Sequence, residues 1–551
     1  ELSKQQREIS VAEFFTKNRH LLGFDNPIRA LLMTIKEAVD NSLDACNEAR
    51  VLPEILIEVQ QISETRFKII VEDNGPGIVK QNISNVFGKL LYGSKFHRLK
   101  QNRGSQGIGI SASVLYSQLT TGKPTKIVSK TGKNKPAHYY ELNIDTKANE
   151  PHILKEEIIN WDYDHGTRIE LELEGKYQKG KQSIDEYIKQ VAIVNPEAQI
   201  TYISPEKEKQ LFLRATNTIP KEPKEIKPHP YGIELGNLIY MLHSTESRTL
   251  QGFLTKDFSR IGPGTAKEIC VKADLDPNKK SKSLERNEAE LLFKAMQEVK
   301  IIAPPTDCLS PIGAEILERG LRKEVNADFY ITTTRTPTVY RGFPFIIECG
   351  IAYGGDLDKE GSIRLMRLAN KVPLLYQQGA CAITEAVTDT NWKPYGLQQS
   401  GNNLPVGPAI ILVHIASVWV PFTSEAKDAV AHYDEIIKEI KLALQECGRK
   451  LSIYIHRHIR AAEQLEKISL FEKYVPELAS ALSNLTNNKR ELIQDKLQKI
   501  LKKELPSLEA EKNAKEENSF TQDLNNKKEG KKIKNEKKEK QTTLEIKRIR
   551  R

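Results

Sequence analysis

Apolar residues recur at helical spacing near the start of the chain. Ile28, Leu31, Leu32, Ile35, Val39, Leu43 and Cys46 share one stripe, the repeat expected of a helix with one buried face. Asn26 stands where an N-cap belongs and Pro27 at the first helical position, and Pro53 stops the element. Glu37, Asn41 and Asp44 fall on a different face of the same helix. Beyond it the pattern turns strand-like at 55–59, 67–72, 126–129, 139–144 and 168–173, with helical runs interleaved. An α/β sandwich with one sheet covered by helices is predicted.

The pattern changes again further on. A Pro- and Lys-rich stretch at 220–230 reads as a linker. Residues 231–300 read as all-helical, with Ile261-Gly-Pro-Gly-Thr-Ala-Lys267 as a tight turn opening a helix. Pro304-Pro305 marks a second boundary. From 310 to 422 strands and helices return, with apolar runs at 343–351 and 410–420. Residues 424–504 are rich in Ala, Leu, Lys and Glu and read as helical, with one long helix reaching about residue 470. From 507 onward aromatic residues are scarce and Lys, Glu and Asn dominate, so disorder is expected. No internal repeat is visible.

Composition narrows the class. The chain has 551 residues, enough for several domains, with 39% hydrophobic and 28% charged residues, as a soluble multidomain protein would have. No run approaches a membrane span, and the polar first residues show no signal-peptide core. Cys46, Cys270, Cys308, Cys349, Cys381 and Cys447 are widely spaced without a CxxC pair, so free thiols in a reducing cytoplasm are expected. The net charge of +10 is uneven: residues 527–551 carry twelve Lys or Arg against four Glu. The folded part is therefore nearly neutral, and only the tail is suited to gripping a polyanion.

Three motifs carry candidate chemistry. Glu37 and Asn41 lie one helical turn apart and point the same way. The carboxylate suits proton abstraction from water, and the amide oxygen suits Mg²⁺, a cation that keeps most of its waters. The same pair also fits an ordinary solvated helix face. Asp73 ends an apolar strand and enters Asn74-Gly75-Pro76-Gly77. There a carboxylate can accept a hydrogen bond from an exocyclic amine such as adenine's, and the glycines admit a flat base; an Asx turn explains it equally. Gly104-Ser105-Gln106-Gly107-Ile108-Gly109 precedes a helical run, a geometry that offers backbone amides to phosphates. Its glycine order is not the dinucleotide fingerprint. A near-P-loop at 175–182 has Gln182 where a hydroxyl is required, and Ser183 with Glu186 reads instead as a capping box.

Together with His165-Gly166-Thr167, these motifs resemble the Bergerat-type ATPase fold of type II topoisomerases, heat-shock chaperones, mismatch-repair ATPases and histidine kinases. More closely, the chain resembles the B subunits of the topoisomerase VI family. The match runs through Phe87-Gly-Lys-Leu-Leu-Tyr-Gly-Ser-Lys95, Val114-Leu-Tyr-Ser-Gln118, Lys227-Pro-His-Pro-Tyr-Gly232 and Val420-Pro-Phe-Thr-Ser-Glu-Ala-Lys427. The resemblance implies Glu37 as general base, Asn41 as Mg²⁺ ligand and Asp73 as the adenine contact beside Gly77. It implies Ser94 and Lys95 in a nucleotide lid, the loop from Gly104 through Ser105, Gln106, Gly107 and Ile108 to Gly109 around the phosphates, and Thr167 beneath the adenine. Lys427 would touch the γ-phosphate; by pattern alone it is a charge in a first helical turn, where a cation is disfavoured unless an anion is near.

The implied architecture is α/β multidomain: an N-terminal strap (1–20), a Bergerat-type α/β sandwich ATPase (21–225), a helix-two-turns-helix insert (226–303), an α/β transducer (304–422), a stalk with C-terminal helices (423–505) and a disordered basic tail (506–551). The implied function is ATP hydrolysis, with ATP and Mg²⁺ as cofactors, coupled to passage of one DNA duplex through another. Two B subunits would close as a gate, and a separate A subunit would cut the double-stranded DNA within an A2B2 heterotetramer. The apolar stretch 471–482 is the candidate dock for that subunit, and Lys256, Arg260, Lys267 and Lys272 are candidate phosphate contacts. No membrane partner is implied; the setting would be a cytoplasmic, nucleoid-associated archaeal one. A mismatch-repair-type or chaperone-type ATPase remains the alternative, disfavoured by the helical insert.

Overall fold

Asn26 caps the second helix as its place before Pro27 predicts: its side chain accepts the Arg29 N–H at 2.9 Å. The structure, a computed structural model, describes residues 8–500 apart from 97 and 105; the basic tail therefore lies outside the described residues. Helix α1 (Val11–Lys17) leads to α2 (Pro27–Glu48), strands β1 (Glu54–Gln61) and β2 (Arg66–Asp73), and helices α3 (Lys80–Gly88) and α4 (Gly109–Thr121). There follow β3 (Thr125–Lys130), β4 (Ala137–Asp145), β5 (Glu150–Ile159), β6 (Gly166–Glu174), α5 (Ile184–Val194), β7 (Gln199–Ile203) and β8 (Lys209–Phe212).

The eight strands form one sheet in the order β5-β4-β3-β6-β2-β1-β7-β8, and the β1–β7 pair is parallel while its other neighbours run antiparallel. Leu31, Ile35 and Leu43 of the α2 stripe are fully buried in one core with Ile57, Ile69 and Leu171. Burial of each such side chain contributes about 1.5–3 kcal/mol. Three strands escaped the sequence reading. β5 is an edge strand whose residues are mostly exposed and include Lys155, Glu156 and Glu157. Charge there blunts an open edge and erases the alternation that would have revealed it. β7 and β8 have only five and four residues.

Residues 220–229 lack regular structure but are tied down: Ile226 N–H donates to the Leu99 carbonyl and Lys224 N–H to that of Asp307. Helices α6 (Leu235–Ser244), α7 (Leu250–Asp257), α8 (Pro263–Lys272) and α9 (Arg286–Glu298) share their own core around Leu238, Phe253, Ile269 and Leu292. Next come α10 (Ala314–Glu324), β9 (Phe329–Thr334), β10 (Thr338–Tyr340), β11 (Phe343–Tyr353), β12 (Arg364–Ala369), β13 (Val372–Pro373), α11 (Ala382–Thr388) and β14 (Ala409–Ser417). They build a second sheet, β10-β11-β14-β12-β13, with β9 paired to β11. The two apolar runs of the sequence are its central strands β11 and β14, and β14 is buried throughout. The end of α5, at Ile193 and Val194, packs into this second core against Leu317 and Leu321 of α10.

Helix α12 (Asp434–Thr486) starts ten residues later than the reading of 424 onward and runs past 470. Residues 422 and 430 pair as an isolated bridge, so the stretch between them is a loop. The chain divides at Tyr454 into two units, the second continuing α12; residues 490–500 are helical. In that second unit Leu470, Phe471, Tyr474 and Leu478 are exposed, while Val475 and Ala479 are buried. The six cysteines are buried free thiols. Among the described residues, no helix is long and apolar enough to cross a membrane.

One polar cluster holds the segment ahead of the glycine loop. The buried Asp44 carboxylate accepts from Arg103 at 2.7 Å and from Lys95 at 2.9 Å. Arg103 also donates to Asn195, and Gln101 brackets the Ser310 backbone, its oxygen accepting the N–H at 2.7 Å and its amide donating to the carbonyl at 3.2 Å. Burial alone would raise the Asp44 pKa, but Lys95 and Arg103 outweigh it and hold the group at about 2. A carboxyl depressed below its unfolded value stabilises the fold at higher pH and loses that contribution as pH falls from about 4 to about 2. The shift corresponds to about 2 kcal/mol. Asp44→Asn is expected to lower the urea midpoint at pH 7, with the gap to the native chain narrowing below pH 4. A gap that is unchanged or wider in acid would refute this role.

Candidate active site

A cavity of about 490 Å³ opens between α2, the turn after β2, residues 92–95, the glycine loop and the loop ahead of α12. Glu37, Asn41, Asp73, Gly77, Ser94, Lys95, Gly104, Gln106, Gly107, Ile108, Gly109, Thr167 and Lys427 all line it. Ser105 lies outside the described residues. The near-P-loop at 175–182 does not border the cavity. Ser183 does cap α5, accepting the Glu186 N–H at 3.1 Å. The Glu186 carboxylate turns to Gln190 and Arg364, so no reciprocal box forms.

The floor is set by strand register. Asp73, the last residue of β2, stands opposite Thr167 of β6. One carboxylate oxygen accepts the Gly75 N–H at 2.9 Å and the Thr167 N–H at 3.3 Å; the other accepts the Ser42 hydroxyl at 2.7 Å. A carboxylate has about four acceptor sites, so one is left for a donor in the cavity. Burial pushes this carboxyl up, and the three hydrogen bonds oppose it. Gly77 turns the chain with φ +68°, a left-handed conformation natural to glycine. Phe24, Met33, Val86, Phe87 and Ile169 supply apolar walls nearby.

The opposite end is polar. Gly109 is the first residue of α4, and no side chain caps that helix, so its first amides are open to an acceptor. A Cβ on Gly109 would lie 1.8 Å from Glu37 Oε2, and one on Gly104 would lie 4.0 Å from Asn41 Oδ1. The carboxylate and the amide thus face the two ends of the glycine loop. Lys36 Nζ lies 3.3 Å from Glu37 Oε1 and 3.6 Å from Asp40 Oδ2, and Tyr187 Oη donates to Asp40 at 3.2 Å. Burial raises the Asp40 pKa to about 6 against the pull of Lys36. Lys36 itself is kept raised: burial works against its charge, but Glu37 and Asp40 prevail.

Lys427 is not in a helical turn. It sits in the loop ahead of α12 with φ +55°, and its Nζ donates to the Arg103 carbonyl at 3.2 Å. Burial lowers its pKa, opposed first by Glu37. Lys95 lines the cavity with its charge turned to Asp44 at 2.9 Å and Glu48 at 3.4 Å. The sequence reading missed Ser42, Lys36, Asp40 and Arg103. Ser42 had a signal, since it follows Asn41 on the polar side of α2. Arg103 had none, because its partners Asp44 and Asn195 are remote in sequence. Among the described residues no three His, Cys, Asp or Glu cluster to hold a metal ion.

Residues 30–175 match the family described as "Histidine kinase-, DNA gyrase B-, and HSP90-like ATPase", and residues 304–467 match "Topoisomerase VI B subunit, transducer". The B subunit of type 2 DNA topoisomerase 6 from Methanosarcina barkeri is 55% identical over 88% of this chain and 78% of its own length. That of Archaeoglobus fulgidus is 47% identical over 88% and 80%. The gyrase B-subunit structure from Myxococcus xanthus, at 10% identity, aligns with 80% of this chain and 95% of its own at a TM-score of 0.40, which adds no weight. With relatives this similar over this much of both chains, the protein belongs to the B-subunit family of type 2 DNA topoisomerase 6, the ATP-driven component of a type II topoisomerase.

Proposed function

We propose that ATP lies in this cavity with its adenine against Asp73 and its phosphates under the 104–109 loop, and that Glu37 is the general base of its hydrolysis. The observation that carries the reading is the Glu37 carboxylate abutting Gly109 at the uncapped start of α4. A helix start with open amides favours phosphate, and a carboxylate beside it is within reach of a water attacking that phosphate. Lys36 holds Glu37 from behind, Ser42 and Thr167 orient Asp73, and Lys427 adds a half-buried cation on the transducer side. Asn41 presents a neutral amide oxygen to the cavity, a donor that suits Mg²⁺ bound mainly by phosphates and water. Mg²⁺ held there would neutralise charge on the phosphates.

Hydrolysis drives a gate. Two copies close with ATP bound, each reaching over its neighbour with the N-terminal strap, and reopen on release. Of that strap, residues 1–7 lie outside the described residues; Ala12 is buried in the chain's own core, whereas Ile9 and Phe14 are exposed. The double-stranded DNA is cut by a separate A subunit in an A2B2 assembly, docked on the exposed stripe of Phe471, Tyr474 and Leu478. Lys256, Arg260, Lys267 and Lys272 are all exposed on the helical insert, as sequence-independent phosphate contacts would be. The setting is the archaeal nucleoid.

Glu37→Ala is expected to bind a non-hydrolysable ATP analogue normally and to lose turnover by about 10²–10⁴-fold, the range for a removed acid or base. Native turnover in that variant would reject the assignment. Charge reversal at Lys256 and Lys267 is expected to flatten the salt dependence of duplex binding by roughly one unit of log–log slope for each phosphate no longer neutralised. An unchanged slope would clear the insert of DNA contact.

A further inference from the structure

Lys427 occupies a position that needs holding. Its backbone is left-handed, at φ +55°, a conformation a lysine rarely adopts unaided. Its side chain is half-buried, and one carbonyl, that of Arg103, accepts from its ammonium. The loop's own backbone bonds, Thr423 N–H to Ala429 O and Ala431 N–H to Pro421 O, close its base, while at its tip Lys427 N–H donates to Ser424 O. The next residue, Asp428, is buried and ion-paired to Arg29 of α2, 399 positions away in sequence. Arg29 sits in the first turn of α2, where the helix dipole disfavours a cation. It is held there by Asp25 at 2.8 Å, by Asp428 and by the ring of Tyr376, 5.0 Å from its guanidinium carbon. Tyr376 and Asp428 both fall within residues 304–467, the stretch that matches the transducer family.

The geometry points to a clasp: Arg29 and Asp428 are positioning residues that set Lys427 against the nucleotide by tying its loop to the helix that carries Glu37 and Asn41. Glu37 lies eight residues beyond Arg29, about 12 Å along one rigid helix. A loop fastened to Arg29 is therefore fixed relative to the general base, although the two come from different sheets. The second fastening, Gln106 to Glu425, is exposed, and exposed polar pairs contribute little. The Arg29–Asp428 pair is largely buried, so removing Arg29 strands the Asp428 carboxylate away from water, and removing Asp428 unties the loop from α2 while Arg29 keeps Asp25. The inference rests on Lys427 contacting the terminal phosphate.

The test is a double-mutant cycle on the full chain assembled with an A subunit and plasmid DNA. Asp428→Asn and Arg29→Gln are each expected to lower the kcat for ATP by roughly 10- to 100-fold, the cost of a small misplacement, with affinity for a non-hydrolysable ATP analogue within about twofold of native. The Arg29→Gln/Asp428→Asn double variant should be no worse than either single one. In a Lys427→Ala background neither substitution should reduce kcat further, because a residue acting through Lys427 has nothing left to position. Losses that multiply in that background, or analogue binding that falls with kcat, would overturn the clasp. If Lys427→Ala is impaired while Asp428→Asn and Arg29→Gln turn over normally, the clasp fails and the phosphate role of Lys427 stands. If Lys427→Ala turns over normally, that role fails and takes the clasp with it.

Discussion

A carboxylate pressed against the first residue of a helix sets the geometry of this protein. Glu37 approaches Gly109 so closely that a Cβ there would push the carboxylate aside. The approach follows from the α2 stripe: with Leu31, Ile35 and Leu43 driven into the core, the rotation of the helix is fixed, and positions 37 and 41 must face the glycine loop. The start of α4 welcomes negative charge by about 0.3–1 kcal/mol per group. Glu37 stands beside that start, close enough that a Cβ on Gly109 would meet its carboxylate. Lys36 gives the carboxylate an ion-pair partner behind it.

How much of this could be read from residues alone depends on how local the cause is. The N-cap, the proline start and the apolar stripe of α2 act within one helix, and all were legible. The glycine loop and the Asp73 turn were legible as candidate ligand contacts, because glycines and a strand-end carboxylate are short-range signals. Partnerships across the fold were not. Thr167 N–H reaches Asp73 only through the register of β2 with β6, and Arg103 meets Asp44 across 59 positions. Lys427 was read into a helical turn because Ser424, Glu425 and Ala426 before it resemble a helix start. The bridge between 422 and 430 prevailed over local propensity, and α12 begins at Asp434 instead. The edge strand β5 stayed hidden for a related reason, since charge that guards a sheet edge looks like a loop in sequence.

The contacts between the nucleotide-binding sheet and the transducer sheet fall into two kinds. At one place α5 and α10 bury Ile193, Val194, Leu317 and Leu321 together. Around the cavity Leu375 and Tyr376 pack on the first core, and specific polar bonds join the two parts: Arg29 with Asp428, Gln101 with Ser310, Asn370 with Asn102. Apolar burial is non-directional and scales with area, so the first kind supplies adhesion while tolerating small changes of angle. Hydrogen bonds and buried ion pairs yield little net stability but demand one geometry.

That division suits a site that must report its own occupancy. If the contacts around the cavity were apolar alone, a shift of the 104–109 loop would slide past the transducer at small cost. With Gln101 bonded to the Ser310 backbone, and Asn370 bonded to both Asn102 and Ser417, the segment leading into the loop cannot move alone without breaking specific bonds on the transducer side. Each broken bond would leave a buried polar group unpaired, at about 1–3 kcal/mol. A displacement of that loop is therefore cheaper to pass on to the transducer, through these bonds, than to absorb.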